Sequence, residues 1–244
     1  MPSAPRSSRS ASLRGALALL VLWVPAADAQ TPRRDASAQT PPAPAAPPAA
    51  PPAAPVLTLD ALMARFAALP GLSARFREEK RMALLAVPLR CEGTLDYAPP
   101  SRLLRRTTAP TASFVLIRGG DLQFGDDRRR QHIDLEATPA AQQFVDSFLS
   151  LVAGDRRALE RAYEMDFRVV PARPDVWELS LRPRLSATRQ IIERVVLRGM
   201  GVALDRMTLR ETNGDETLTT FSDVDPRRQY SPGEITALFG PEAR

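Results

Sequence analysis

From Leu72 to Val224 the chain alternates apolar and polar residues at period two, and a single stretch with helical spacing interrupts the pattern. Such alternation builds strands with one apolar face. It opens in Leu72-Ser73-Ala74-Arg75-Phe76-Arg77 and continues through Cys91, Gly93, Leu95 and Tyr97. It recurs in Leu104 to Thr107, Phe114 to Ile117, Leu122 to Phe124 and Gln131 to Leu135. After the interruption come Phe167 to Val170, Trp177 to Leu181, Ile191 to Leu197, Leu204 to Leu209 and Leu218 to Val224. Pro, Gly and Asp clusters mark turns between these runs, and Asn213-Gly214 is a strong hairpin signal between the last two. Gly119-Gly120-Asp121 and Gly199-Met200-Gly201 also fit hairpin turns, since neither extends to a phosphate-cradling loop.

Helical spacing occurs in a few places. Leu59, Leu62, Met63, Phe66 and Leu69 form one stripe, with Thr58 as N-cap and Pro70-Gly71 as stop. The interruption is a helix pair. Thr138-Pro139 opens the first member, Phe144, Val145, Phe148, Leu151 and Val152 form its stripe, and Gly154 ends it. Asp155 caps the second, in which Leu159, Ala162 and Tyr163 share a face. Ser231-Pro232-Gly233-Glu234 predicts a capping box before a short terminal helix carrying Ile235, Leu238 and Phe239.

The order is helix, strand block, helix pair, strand block, with links short enough for antiparallel pairing, so the fold class is α+β. A sheet of roughly ten strands curls rather than staying flat. Its concave face carries the Leu, Phe, Tyr and Trp positions, and the apolar helices are available to cover it. On pattern alone that face is either a filled core or the wall of a lipid cavity. The residues assigned to it are Leu95, Tyr97, Phe114, Leu116, Trp177, Leu179 and Leu181 from strands, with Phe144, Phe148 and Leu151 from the cover.

The chain has 244 residues and divides unevenly. Arg6, Arg9 and Arg14 precede the apolar run Ala16 to Val24, and Ala27-Asp28-Ala29 suits signal peptidase, so residues 1–29 read as a secretory signal peptide. The apolar run is about half the ~20 residues of a spanning helix. Residues 30–55 form a linker whose segment 41–55 is entirely Ala and Pro, with eight prolines, a stiff extended spacer. Residues 56–244 form one domain. Five of the 33 basic residues (Arg6, Arg9, Arg14, Arg33, Arg34) and two of the 28 acidic ones (Asp28, Asp35) precede it, leaving 28 and 26 in the domain. That near balance provides no basic stripe for nucleic acid. One cysteine, Cys91, excludes an internal disulfide framework and reads as a small buried apolar residue. Export in a bacterium with two membranes leads to the periplasm.

Motifs for catalysis are sparse. The single histidine, His132, shares the polar face of a strand with Asp134, and no Gly-x-Ser-x-Gly elbow accompanies it. One His and one Cys do not make a transition-metal set. Glu78-Glu79 beside Lys80-Arg81, and Asp126-Asp127 beside Arg128-Arg129-Arg130, read as salt-laced strand ends or turns. No enzyme, cofactor or metal is expected.

In order and spacing, several segments together resemble the LolA family of periplasmic lipoprotein carriers, in particular its LolA-related branch. They are Ala74-Arg75-Phe76, Gly93-Thr94-Leu95-Asp96-Tyr97 with Pro100, Phe114 through Leu122, Gly154-Asp155, Trp177 through Pro183, and Met207 through Asn213-Gly214-Asp215 to Phe221-Ser222-Asp223-Val224. The resemblance implies an unclosed antiparallel β-barrel of ten to eleven strands with a helical lid over its apolar concave face. It implies a monomer that shelters acyl chains of a lipoprotein in transit from inner to outer membrane. The implied partners are an inner-membrane extraction complex and an outer-membrane receptor, with only transient membrane contact. Because the branch accompanies lipid-tailed pigment synthesis, the alternative cargo is a lipid or an aryl-polyene-type pigment. A second alternative is a periplasmic binding or regulatory module without transport. Two positions depart from the family: Pro99 stands where carriers have a lid-latching arginine, and Glu78 where they have Gln.

From the stripe on the first helix of the pair, Phe148→Asp is expected to lower bound lipid while leaving the far-ultraviolet circular dichroism spectrum unchanged. An unfolded spectrum, or undiminished lipid by mass spectrometry, counts against that placement.

Overall fold

A computed structural model describes residues 57–126, 128–135 and 139–240. The proposed signal peptide, residues 1–29, and linker, residues 30–55, lie outside the described residues, as does Asp127. Among the described residues eleven antiparallel strands form one sheet: β1 (Leu72–Arg81), β2 (Leu89–Ala98), β3 (Arg102–Ala109), β4 (Ser113–Arg118), β5 (Asp121–Gly125), β6 (Arg130–Asp134), β7 (Tyr163–Val170), β8 (Arg173–Pro183), β9 (Ile192–Met200), β10 (Ala203–Glu211) and β11 (Glu216–Asp225). The helices are α1 (Leu59–Ala67), α2 (Pro139–Val152), α3 (Arg156–Ala162), α4 (Ser186–Arg189) and α5 (Pro232–Phe239). The short turn α4 had no sequence signal, and Tyr163, assigned to a helix face, instead begins β7.

Local chemistry sets the element ends. The Thr58 hydroxyl accepts from Ala61 N at 3.2 Å and the Asp155 carboxylate from Ala158 N at 2.9 Å, which starts α1 and α3. Ser231 and Glu234 form a reciprocal capping box on α5. Gly214, at φ +89°, turns β10 into β11, while Asn213 Oδ1 accepts from Asp215 N at 3.0 Å.

The strand order is β6-β5-β4-β3-β2-β1-β11-β10-β9-β8-β7. The first and last strands therefore pair at the centre, and the two free edges are β6 and β7, the strands that flank α2 and α3 in sequence. The sheet is unclosed, and the helical insertion runs from one edge to the other. Short β6, with Arg130, His132 and Asp134 exposed, presents a charged edge that discourages pairing with another sheet.

Both faces of strands β2 to β4 are covered. On the concave side one buried cluster unites Leu62, Met63 and Phe66 of α1 and Val145, Leu149, Leu151 and Val152 of α2 with residues from both wings of the sheet. The sheet thus curls around a shared interior. On the convex side α5 packs Phe239 against Ala98, Leu104 and Leu116, with Tyr230 edge-on to Phe239 at 5.8 Å. Phe239 is 0% exposed.

Phe239→Ala is expected to cost about 3–5 kcal/mol, read from the urea midpoint, because a filled convex site is emptied. Uptake of an acyl probe by the folded fraction should be unaffected, since the change lies behind the sheet.

Candidate functional site

The concave face is laid out in rungs. Cross-strand register places Leu72, Tyr97, Leu103, Ile117, Leu122 and Ile133 side by side from β1 to β6. On the other wing, Met207, Leu197, Leu179 and Phe167 form a rung from β10 to β7. Trp177 lies opposite Gly199, where a Cβ would stand 2.7 Å from the indole, so this position needs glycine to admit the ring. The indole N–H donates to Gly201 O at 2.8 Å, and Phe66 of α1 meets the ring edge-on at 6.2 Å.

Of the residues assigned from sequence, Leu95, Tyr97, Trp177, Leu179 and Leu181 share this face, and Leu151 belongs to the same buried cluster. Burial pushes the Tyr97 phenol upward. Phe114 and Leu116 do not join them. They face the convex side, where Leu116 is buried in the cluster formed with α5 and Phe114 packs against it. Their neighbours Val115 and Ile117 point inward instead. Strand β4 is apolar on both faces, so alternation could not choose between the two sets. The side chains of Phe144 and Phe148 lie outside the described residues. Sequence reasoning also passed over Leu103, Leu122, Phe124, Phe167 and Leu149, although Leu122, Phe124 and Phe167 stood in recognised strands.

The larger omission is polar. On β1 the inward parity that carries Leu72, Ala74 and Phe76 continues through Glu78 and Lys80, 5% and 4% exposed. Glu78 lies 3.1 Å from Arg105 Nη2 and accepts the Thr219 hydroxyl at 3.0 Å. The Arg105 guanidinium also donates to Thr107 Oγ1 at 3.1 Å and stacks over Phe76 at 4.2 Å. Lys80 Nζ donates to Glu211 at 2.6 Å and lies 3.8 Å from Asp215. The salt-laced strand end expected at Glu78-Glu79 is thus split by the pleat. Glu79 takes the exposed partners Arg81 and Arg90, whereas Glu78 and Lys80 are paired inside. At the other expected charge cluster, Asp126 accepts from the backbone of Arg128 and Arg129, and those bonds lower its pKa.

Cys91 is half-buried beside this group, its Sγ 3.6 Å from both Glu78 and Arg105, so its surroundings are polar rather than apolar. His132 is exposed, with Nε2 2.8 Å from Asp121 Oδ1. Among the described residues there is no metal-ligating group of three, and no helix is long and apolar enough to cross a membrane.

The helices of the cover are fastened to one another by close contacts. Gly154, at φ +67°, lets the α2–α3 corner approach α1, where a Cβ would lie 2.1 Å from Met63 O. Arg156 of α3 pairs with Asp60 of α1 and, at 2.7 Å, with Glu160.

An unclosed antiparallel barrel with helices laid over an apolar concave face defines a class of half-barrel binding proteins. Over residues 49–225 the sequence matches the family described as outer membrane lipoprotein carrier protein LolA-like, and the chain belongs to that family. Its members are carrier and binding proteins. Solved structures similar to this chain include a LolA superfamily protein from Nitrosomonas europaea, at 12% identity and a TM-score of 0.41, covering 73% of this chain and 97% of that one. A putative outer membrane lipoprotein-sorting protein domain from Vibrio parahaemolyticus gives 11%, 0.43, 72% and 93%. The MucA/MucB complex of Pseudomonas aeruginosa gives 13%, 0.42, 72% and 60%. No curated protein sequence matches the chain.

Burial first, then the neighbouring Glu78 carboxylate, raise the Cys91 thiol from its ordinary 9.0 to about 11. The unfolded chain gives up this proton near 9 and the folded chain keeps it, so stability is expected to fall as pH rises between 9 and 11. At about pH 8 alkylation should be slow in the native protein and rapid after denaturation, as intact-mass kinetics will show. Fast native labelling contradicts the buried placement.

Proposed function

We propose that the chain is a periplasmic carrier that shelters acyl chains of a lipoprotein or lipid on its concave face between the inner and outer membranes. In this reading residues 1–29 direct export, residues 30–55 are a spacer, and residues 56–244 are the carrier, a monomer loaded and unloaded by membrane partners. The observation that supports it most is topological. The apolar concave face is covered by helices that join the two unpaired edges, so the cover can swing without breaking a rung of the sheet.

No covalent bond changes in such a function. An acyl chain leaves one apolar environment for another, at about 0.8 kcal/mol per buried methylene. Because each methylene adds to the grip, a permanently closed site would not release its cargo. A movable cover lets a partner trade its own surface for the lining that opening exposes. The pairing of α1 with the α2–α3 corner through Gly154 and Asp60–Arg156 ties the cover into one moving unit.

The deciding measurement is organic extraction of the protein taken gently from its native periplasm, with mass spectrometry of the extract and of the intact complex. A stoichiometric acylated peptide or lipid is expected, and its mass separates lipoprotein from lipid cargo. A folded protein that carries nothing and takes up no acyl probe overturns the carrier reading in favour of a binding module.

A further inference from the structure

We infer that the buried charges on the concave face form a polar floor that limits the length of acyl chain the site accepts. This rests on the carrier reading above and adds a restriction on its cargo class. The floor lies at the end where the β1–β2, β3–β4 and β10–β11 hairpins turn. It is made by Glu78 and Lys80 of β1, Arg105 of β3, Thr219 of β11 and Glu211 of β10. Going the other way along β1, the inward positions Phe76, Ala74 and Leu72 are apolar up to α1.

The pairs are nearly sealed from water. The Glu78 and Arg105 side chains are 4% and 11% exposed, and that of Lys80 is 5% exposed. A methylene that reaches this layer meets carboxylate, guanidinium and hydroxyl groups already engaged with one another. It gains no apolar contact, and pushing between the partners leaves buried charges unpaired, which is strongly unfavourable. Thr217 Oγ1, opposite Lys80 in register and buried with no hydrogen-bond partner among the described residues, adds a further polar group to the Lys80 rung. Affinity therefore climbs with chain length only until the terminal methyl meets the floor.

The test uses the delipidated exported protein and saturated fatty acids from octanoate to stearate, with Kd measured by displacement of a fluorescent acyl probe. Each methylene is expected to lower Kd about fourfold until a definite length, beyond which Kd stops falling or rises. In the double variant Glu78→Leu with Arg105→Leu, both charges go and similar volume remains, a change buried pairs often tolerate. The break should then move to longer chains. A break at the same length in the double variant overturns the floor. If that variant does not fold, the wild-type series decides, and unbroken gain through stearate overturns the inference while leaving the carrier reading intact. Absence of binding at every length overturns the carrier reading and this one with it.

Discussion

The pairing of β1 with β11 is the constraint on which the architecture rests. By joining the first and last strands at the centre of the sheet, it pushes both free edges to β6 and β7, which are neighbours in sequence across the helical insertion. The chain has to travel from one edge of the curled sheet to the other. Its α2 and α3 residues are apolar on one side, so they lie across the opening and take the concave face as their partner. An unclosed barrel with a cover is the consequence of that single pairing. Closing β6 on β7 would remove the edges and with them the opening.

One wing of the sheet serves two surfaces. Strands β2 to β4 bury apolar side chains on both sides, inward beneath α1 and α2 and outward beneath α5. The convex layer is a structural brace. Tyr230 reaches Asp96 Oδ1 and Leu72 O at 3.0 and 2.9 Å, and Arg118 donates to Phe239 O at 3.2 Å, so the C-terminal segment is fastened to the strands it covers.

The interior is not uniformly apolar. Arg105 sits between Leu95 and Val115 on the concave rungs, and Glu78 two positions beyond Phe76, yet each charge has partners. A buried pair of this kind does not secure stability on its own, since desolvation offsets much of the attraction. What it does set is a boundary between apolar and polar portions of one surface.

Much of this was legible from the residues alone. The strands, hairpin turns, capping residues Thr58, Asp155 and Ser231, and the apolar stripes follow from interactions spanning a few residues, which a sequence displays directly. Leu95, Tyr97, Trp177, Leu179 and Leu181 were likewise readable as one face, because each stands in a clean alternation. The tertiary structure decided what depends on distant partners. Phe114 and Leu116 turned outward because α5, more than a hundred residues later, arrives to cover them. Glu78 and Lys80 could be buried because Thr219 and Glu211, 141 and 131 positions away, meet them across the sheet. Period two says that neighbours point to opposite faces; which face is inside is settled only by what the completed fold places against each.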